Sequence, residues 1–185
     1  MANNCVTLRQ AGRADAPLIA RLHAISWRNA YAAILDTGWL ADELDTDRLT
    51  VWSARLAAPS PAMHLLIAER DGEAMGFVCV VGGADPRWGT LVDNLHVLPD
   101  AKGSGVGALL LRAAARWAAD AFPQDGVHLF CYTENRPART FYERMGGRVV
   151  EEMDRMAPDG RMAPEVRYHW PDAAALAGIR SSGPA

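Results

Sequence analysis

The chain has 185 residues, half of them hydrophobic and 22% charged, the profile of one globular domain that buries its core without covalent staples. A formal net charge of −3 leaves no basic field to draw it to DNA, RNA or anionic lipid. Cys5, Cys79 and Cys131 are scattered and the five histidines show no i, i+4 pairing, which argues against a disulfide framework and a metal site.

The opening stretch, MANNCVTLRQ, has neither a charged n-region nor an apolar h-region, and no apolar run reaches the ~20 residues that span a bilayer. The expected location is the cytoplasm. CVTLRQ alternates as a short strand, and AGRADAP ends it. Asp15 and Pro17 then start a helix that runs to about Tyr31. A second helical region follows LDTG, with Trp39, Leu44 and Trp52 on its apolar side and a restart near Thr46.

Two apolar runs flank RDGE between Pro59 and Gly83, and Asp-Gly marks the hairpin between them. GTLVDNLHVLP is a further strand ended by Pro99, and a long helix follows from about Gly105 to Ala121. Then come strand GVHLFCYT, a helix from about Pro137 to Met145, strand RVVEEM, a turn at APDGRMAP and strand EVRYHW. Cys79 and Cys131 lie in apolar runs and read as core thiols. The order β-α-α-β-β-β-α-β-α-β-β predicts an α/β (α+β) domain over residues 1–171, a mixed sheet with helices on both faces. Residues 172–185 are weakly patterned and predict a frayed tail.

The most informative stretch is LHVLPDAKGSGVGALL, where a strand meets a proline, then glycines, then a helix. The first N–H groups of a helix have no internal partner and suit an anion. Glycines at 103, 105 and 107 remove side chains that would hold a phosphate away from those amides. A Walker loop is absent, and the G-x-G-x-G spacing here does not fit the dinucleotide fingerprint. A glycine turn that only joins strand to helix is the competing reading.

This stretch resembles the acetyl-CoA-binding motif of the GNAT N-acetyltransferase superfamily, V-x-P-x-x-[QR]-x-x-G-x-[GA]. Val97, Pro99, Gly105 and Gly107 match, and Lys102 stands where Gln or Arg is usual. The resemblance implies a GNAT fold with a mostly antiparallel central sheet. It implies that backbone around Lys102, Gly103, Ser104, Gly105, Val106 and Gly107 holds the diphosphate of acetyl-CoA, while Leu95, His96 and Val97 pair with its pantetheine arm.

A second stretch, NRPARTFYERMGG, is similar to the family's N-x-x-A-x-x-F-Y-x-x-x-G. On a helix Ala138, Phe141 and Met145 form a core-facing stripe beside Asn135, Arg139 and Tyr142. Taken alone, Tyr142 reads as a packed edge residue. The resemblance makes it the acid that protonates the departing thiolate, with Asn135 touching pantetheine. Arg139 reaches either a CoA phosphate or Glu143.

Many relatives carry a glutamate on the central strand where this chain has Leu91. Asp93, His96 or a chain of waters is left as the base, while a bulge cap and a core imidazole are the structural readings of the two side chains. No G-x-S-x-G elbow is present, which favours direct attack over a covalent enzyme intermediate. The activity implied is acetyl transfer from acetyl-CoA to the amine of a small molecule or peptide, with a non-catalytic acyl-CoA-binding module as the alternative. A homodimer is common in the family. Trp27, Tyr31, Trp39 and Trp52 lie in the helical region that shapes the acceptor pocket in such proteins, and as aromatics at helical spacing they read first as core.

Overall fold

The computed structural model describes residues 5–179. Seven strands form one sheet: β1 (Thr7–Gln10), β2 (Met63–Arg70), β3 (Glu73–Asp85), β4 (Gly89–Val97), β5 (Val127–Tyr132), β6 (Arg148–Met156) and β7 (Met162–Trp170). Their spatial order is β1-β2-β3-β4-β5-β7-β6, and every pairing is antiparallel except β4 with β5. The β2–β3 turn is the one Asp71-Gly72 predicts. Both residues have positive φ (51° and 82°), the mirror-image turn whose twist matches the strands.

Helices α1 (Ala16–Tyr31), α2 (Thr37–Asp42) and α3 (Leu44–Ala57) precede β2. α4 (Val106–Ala121) and α5 (Arg136–Arg144) alternate with later strands, and α6 (Ala173–Gly178) closes the described chain. The region expected as one helix after LDTG is two, parted at Glu43 rather than restarting at Thr46. The final turn is also shorter than APDGRMAP suggested, because β6 runs to Met156 and β7 begins at Met162.

Apolar side chains pack on both faces of the sheet, and a further cluster joins Trp27, Leu40 and Leu44 to Tyr132. On one face, Leu110, Leu111, Ala114, Ala115 and Ala118 of α4 pack on Val78, Val80, Val92, Val127, Leu129 and Val166. The alanines of this stripe let the helix axis approach the β-branched surface closely. On the other, Ile19 and Leu22 of α1 and Trp52 and Leu56 of α3 cover Leu65, Ile67, Phe77 and Cys79.

Residues 173–178 correct the expectation of a frayed tail. Asp172 Oδ1 accepts from Ala175 N–H (2.8 Å) as an N-cap, and Leu176 is buried in the core that α4 shares. Of the segment expected to fray, residues 180–185 lie outside the described residues.

Candidate active site

β4 and β5 are paired at two positions only, Thr90↔Val127 and Leu91↔His128. Beyond Leu91 they part, while β4 stays bound to β3 and β5 to β7. Leu98 N–H donates to Met75 C=O (2.8 Å), so strand alternation turns the backbone of His96 towards β3 and that of Leu95 and Val97 towards the gap. Backbone donors and acceptors that face a gap are free to bind an extended ligand as a further strand would.

The glycine junction stands at the mouth of this gap. Lys102, Ser104 and Leu109 N–H have backbone acceptors, at 3.2, 3.4 and 3.0 Å. Among the described residues Gly103, Gly105, Val106 and Gly107 N–H have none. Gly103 and Gly105 have φ of +76° and +85°, conformations that side-chained residues enter at a cost, and a Cβ on either would meet open space. Gly107 is different. Its φ is ordinary, and an added Cβ would touch Phe141 at 3.5 Å and Val97 at 3.7 Å, which is normal contact. The protein alone therefore does not require glycine there, whereas a ligand that must approach the amide does.

Junction and gap open into one cavity of about 790 Å³. Leu95, His96, Val97, Lys102, Gly103, Gly105, Gly107, Asn135 and Tyr142 line it, so the structure brings together nine of the residues singled out from the sequence. Asn135 caps α5, with its Oδ1 accepting from Ala138 N–H at 3.3 Å. Lys102 Nζ donates to Asn29 Oδ1 (2.6 Å), which ties the junction to α1.

Tyr142 is buried against Tyr168 and Trp170, and among the described residues its hydroxyl has no hydrogen-bond partner. Burial, then the neighbouring Cys131 and Tyr168, hold its pKa well above the ordinary phenol value. Cys131 lines the same enclosure, and burial pushes its thiol up to about 12. It is a thiol at neutral pH, not a nucleophilic thiolate.

Three expectations need correction. Asp93 marks the bulge of β4, and its Oδ2 is taken by Arg55 (2.5 Å) and Asn94 Nδ2 (2.7 Å), away from the cavity lining. His96 lines the cavity but is a poor base. Trp27 Nε1 donates to its Nε2 (3.3 Å), leaving the proton on Nδ1 for Ser26 Oγ (3.1 Å). Burial, with the charges of Arg48 and Lys102, pushes its pKa down to about 3. Arg139 does not face the cavity; it donates to Tyr168 Oη (3.3 Å) and Thr133 C=O (3.2 Å), and Tyr168 in turn donates to Glu143 (2.8 Å). Ser104 and Val106 are implicated through their backbone only; their side chains turn elsewhere, Ser104 Oγ to Ala101 C=O and Val106 into the core.

The cation that does reach the cavity on α5 is Arg144, which sequence reasoning missed. The signal was present, since Pro137, Phe141 and Arg144 recur at i, i+4, i+7 and share one helix face. Tyr31 was read with its aromatic neighbours as core. Trp27 and Trp52 are core, but Tyr31 lines the cavity. Its hydroxyl has no partner among the described residues, and burial and then Tyr142 raise its pKa well above the ordinary value. Ile179, past the C-terminus of α6, completes the rim.

This arrangement is matched by a known family model, the acetyltransferase (GNAT) family, over residues 21–147. The chain belongs to that family. A probable N-acetyltransferase of Mycobacterium tuberculosis is 27% identical over 140 residues, 75% of this chain and 78% of its own length. The mycothiol acetyltransferase of Streptomyces griseus is 42% identical over 91 residues, covering 49% of this chain and 28% of that protein. The PaiA N-acetyltransferase of Thermoplasma acidophilum, solved with coenzyme A, shares the fold with a TM-score of 0.64 at 17% identity, over 87% of this chain and 98% of that one. The yncA protein of Salmonella typhimurium, solved with its cofactor acetyl-CoA, has a TM-score of 0.64 at 18% identity, over 98% and 99% of the chains. No helix among the described residues of this GNAT chain is long and apolar enough to cross a membrane.

Proposed function

We propose that the chain binds acetyl-CoA in the gap between β4 and β5 and transfers the acetyl group to a primary amine by direct attack. One observation carries this reading: free amides at the glycine junction, the unpaired edge of β4 and the Tyr142 hydroxyl border a single cavity. The residues fit the ligand. Gly103, Gly105 and Gly107 leave space for a diphosphate at donors that lack acceptors, and Lys102 and Arg144 supply positive charge at the same wall. Leu95 and Val97 offer a strand edge to the amides of pantetheine, and Ala108, Ala138 and Phe141 close over its apolar carbons. The bound thioester supplies an activated acetyl carbonyl.

An N–H of the Leu95–Val97 edge polarises that carbonyl as an oxyanion donor. The amine forms the C–N bond, the C–S bond breaks, and Tyr142 gives its proton to the sulfur. A phenol held so high releases a proton only to a strong base. The enclosure that lifts Cys131 to about 12 makes a thiolate in the same place a strong base too. The high pKa of Cys131 also speaks against an acyl-enzyme step.

A non-catalytic acyl-CoA-binding module is the second reading, favoured by Leu91, by the ion-paired Asp93 and by the depressed pKa of His96. The test pairs acetyl-CoA binding with thiol release over a panel of primary amines (2-phenylethylamine, spermidine, an alanine-led peptide amide). Acetyl-CoA at one hundred times its Kd stabilises a native-state binder by about 2.7 kcal/mol. Binding together with amine-dependent release of CoA is expected; binding without release by any amine leaves the module, and no binding overturns both.

A further inference from the structure

We infer that the Ser26 hydroxyl donates a hydrogen bond to a carbonyl oxygen of the acetyl-pantetheine arm, held in place by a relay that runs from Trp27 through His96. This rests on the acetyl-CoA binding proposed above and adds a contact from α1. An indole N–H only donates, so Trp27 Nε1 (3.3 Å) makes His96 Nε2 an acceptor and leaves the imidazole proton on Nδ1. That proton goes to Ser26 Oγ at 3.1 Å. A serine hydroxyl that accepts there still has its own proton to give. Among the described residues that proton has no acceptor, not even the Leu22 carbonyl one turn back on α1, the common outlet for a serine inside a helix. Ser26 is only 4% exposed, yet it lines the cavity. A buried donor is costly to leave empty, and here the space before it is the ligand's.

The wall indicates the ligand's chemistry. No Asp or Glu is among the residues that line the cavity, whereas Ser26, Tyr31, Tyr142, Lys102 and Arg144 all bring donors to it. Such a lining suits a ligand made of acceptor oxygens. Position along α1 decides which oxygen Ser26 meets. Asn29, three residues further on, accepts from Lys102 Nζ (2.6 Å) at the junction that holds the phosphates. Three helical residues rise about 4.5 Å, so Ser26 stands back from the phosphate end and level with His96. His96 is the middle residue of the Leu95–Val97 edge along which the arm is laid. Ala30, the neighbour of Ser26 on the same helix face, adds no polar side chain to this wall. The donor therefore meets the arm, whose strong acceptors are two amide carbonyls and the thioester carbonyl.

The relay also gives His96 a use that a poor base can serve. Its ring is packed by His23 and Phe77, with centroids 4.4 and 5.4 Å away, and its tautomer is set by Trp27. A fixed imidazole N–H then fixes the direction in which the serine hydroxyl points. Such advance orientation is what makes a donor effective when charge develops on a carbonyl oxygen.

The test compares wild type, Ser26→Ala and Ser26→Cys for acetyl-CoA affinity, kcat and Tm, and for the infrared bands of acetyl-CoA labelled with 13C at the thioester carbonyl or at the pantetheine carbonyls. One labelled band is expected at lower wavenumber in the wild-type complex than in Ser26→Ala, with Ser26→Cys between. If it is the thioester band, kcat falls by about 10²-fold in Ser26→Ala with affinity within twofold. If it is an amide band, affinities for acetyl-CoA and CoA fall together by about tenfold at unchanged kcat. Either result supports the inference and tells the two carbonyl sources apart. Bands and affinities in Ser26→Ala that match wild type make Ser26 the partner of His96 only and overturn it, whatever the change in Tm. A loss with the alanine-led peptide amide but not with 2-phenylethylamine also overturns it, because the donor then serves the acceptor molecule. Bands and affinities decide even where no amine is turned over, so this inference and the transfer step fail separately. Wild type that binds no acetyl-CoA overturns the proposed function, and this inference with it.

Discussion

Gly107→Ala separates what the fold needs from what a ligand needs. Position 107 is the second residue of α4 with ordinary backbone angles, and the added methyl would rest on Phe141 and Val97 at 3.5 and 3.7 Å. Replacing glycine by alanine in a helix stabilises by roughly 0.5–1 kcal/mol, and the lower figure suits the first turn. At roughly 2–4 °C per kcal/mol for a chain of this size, Tm of the free protein rises by about 1–2 °C. The same methyl stands on the cavity wall between a diphosphate and the amides that bind it. Losing one charge-assisted hydrogen bond costs about 1.5 kcal/mol or more, so acetyl-CoA affinity falls at least about tenfold. Differential scanning fluorimetry and calorimetric titration measure the two effects. A variant that is stabilised and binds acetyl-CoA as tightly as wild type would refute the reasoning that glycine is kept there for close approach.

Tyr142→Phe keeps the packing against Tyr168 and Trp170 and removes only an unpartnered hydroxyl; kcat falls by about 10²-fold with acetyl-CoA affinity within twofold, and undiminished turnover removes its role as acid. Asp93→Asn breaks the pair with Arg55 outside the cavity, so turnover is expected within a few-fold of wild type, and loss at unchanged Tm would restore Asp93 as the base. His96 makes stability pH-dependent. Folded His96 titrates at about 3 and an unfolded histidine at 6.5, so between these values the unfolded chain holds the extra proton and stability falls as pH drops. Two pH units below 6.5 correspond to about 2.7 kcal/mol; because part of the ring reaches the cavity, about 2 kcal/mol is expected, seen as a loss in urea unfolding that His96→Gln lessens.

The features legible in the sequence are local ones. Asp71-Gly72 dictates its own turn, and the three glycines before α4 announce a helix N-terminus that a ligand can approach. Tyr142 and Asn135 were found through motif spacing on one short helix. The misses fall where meaning depends on distant partners. Arg139 and Arg144 are five residues apart on α5, and helix phase alone turns one to Thr133 and the other to the cavity. α6 is an alanine-rich turn whose stability comes from Leu176 meeting α4, a contact no local pattern encodes. Asp93 lost its assigned role to an arginine on α3, a partner 38 residues away in the chain.

The most direct measurement is a titration of the 15N-labelled chain with acetyl-CoA, followed through backbone amide shifts. The account predicts that Gly103, Gly105, Val106 and Gly107 move with saturation, together with Leu95 and Val97 across the gap. Saturable binding that leaves these amides unmoved and shifts another surface would contradict it.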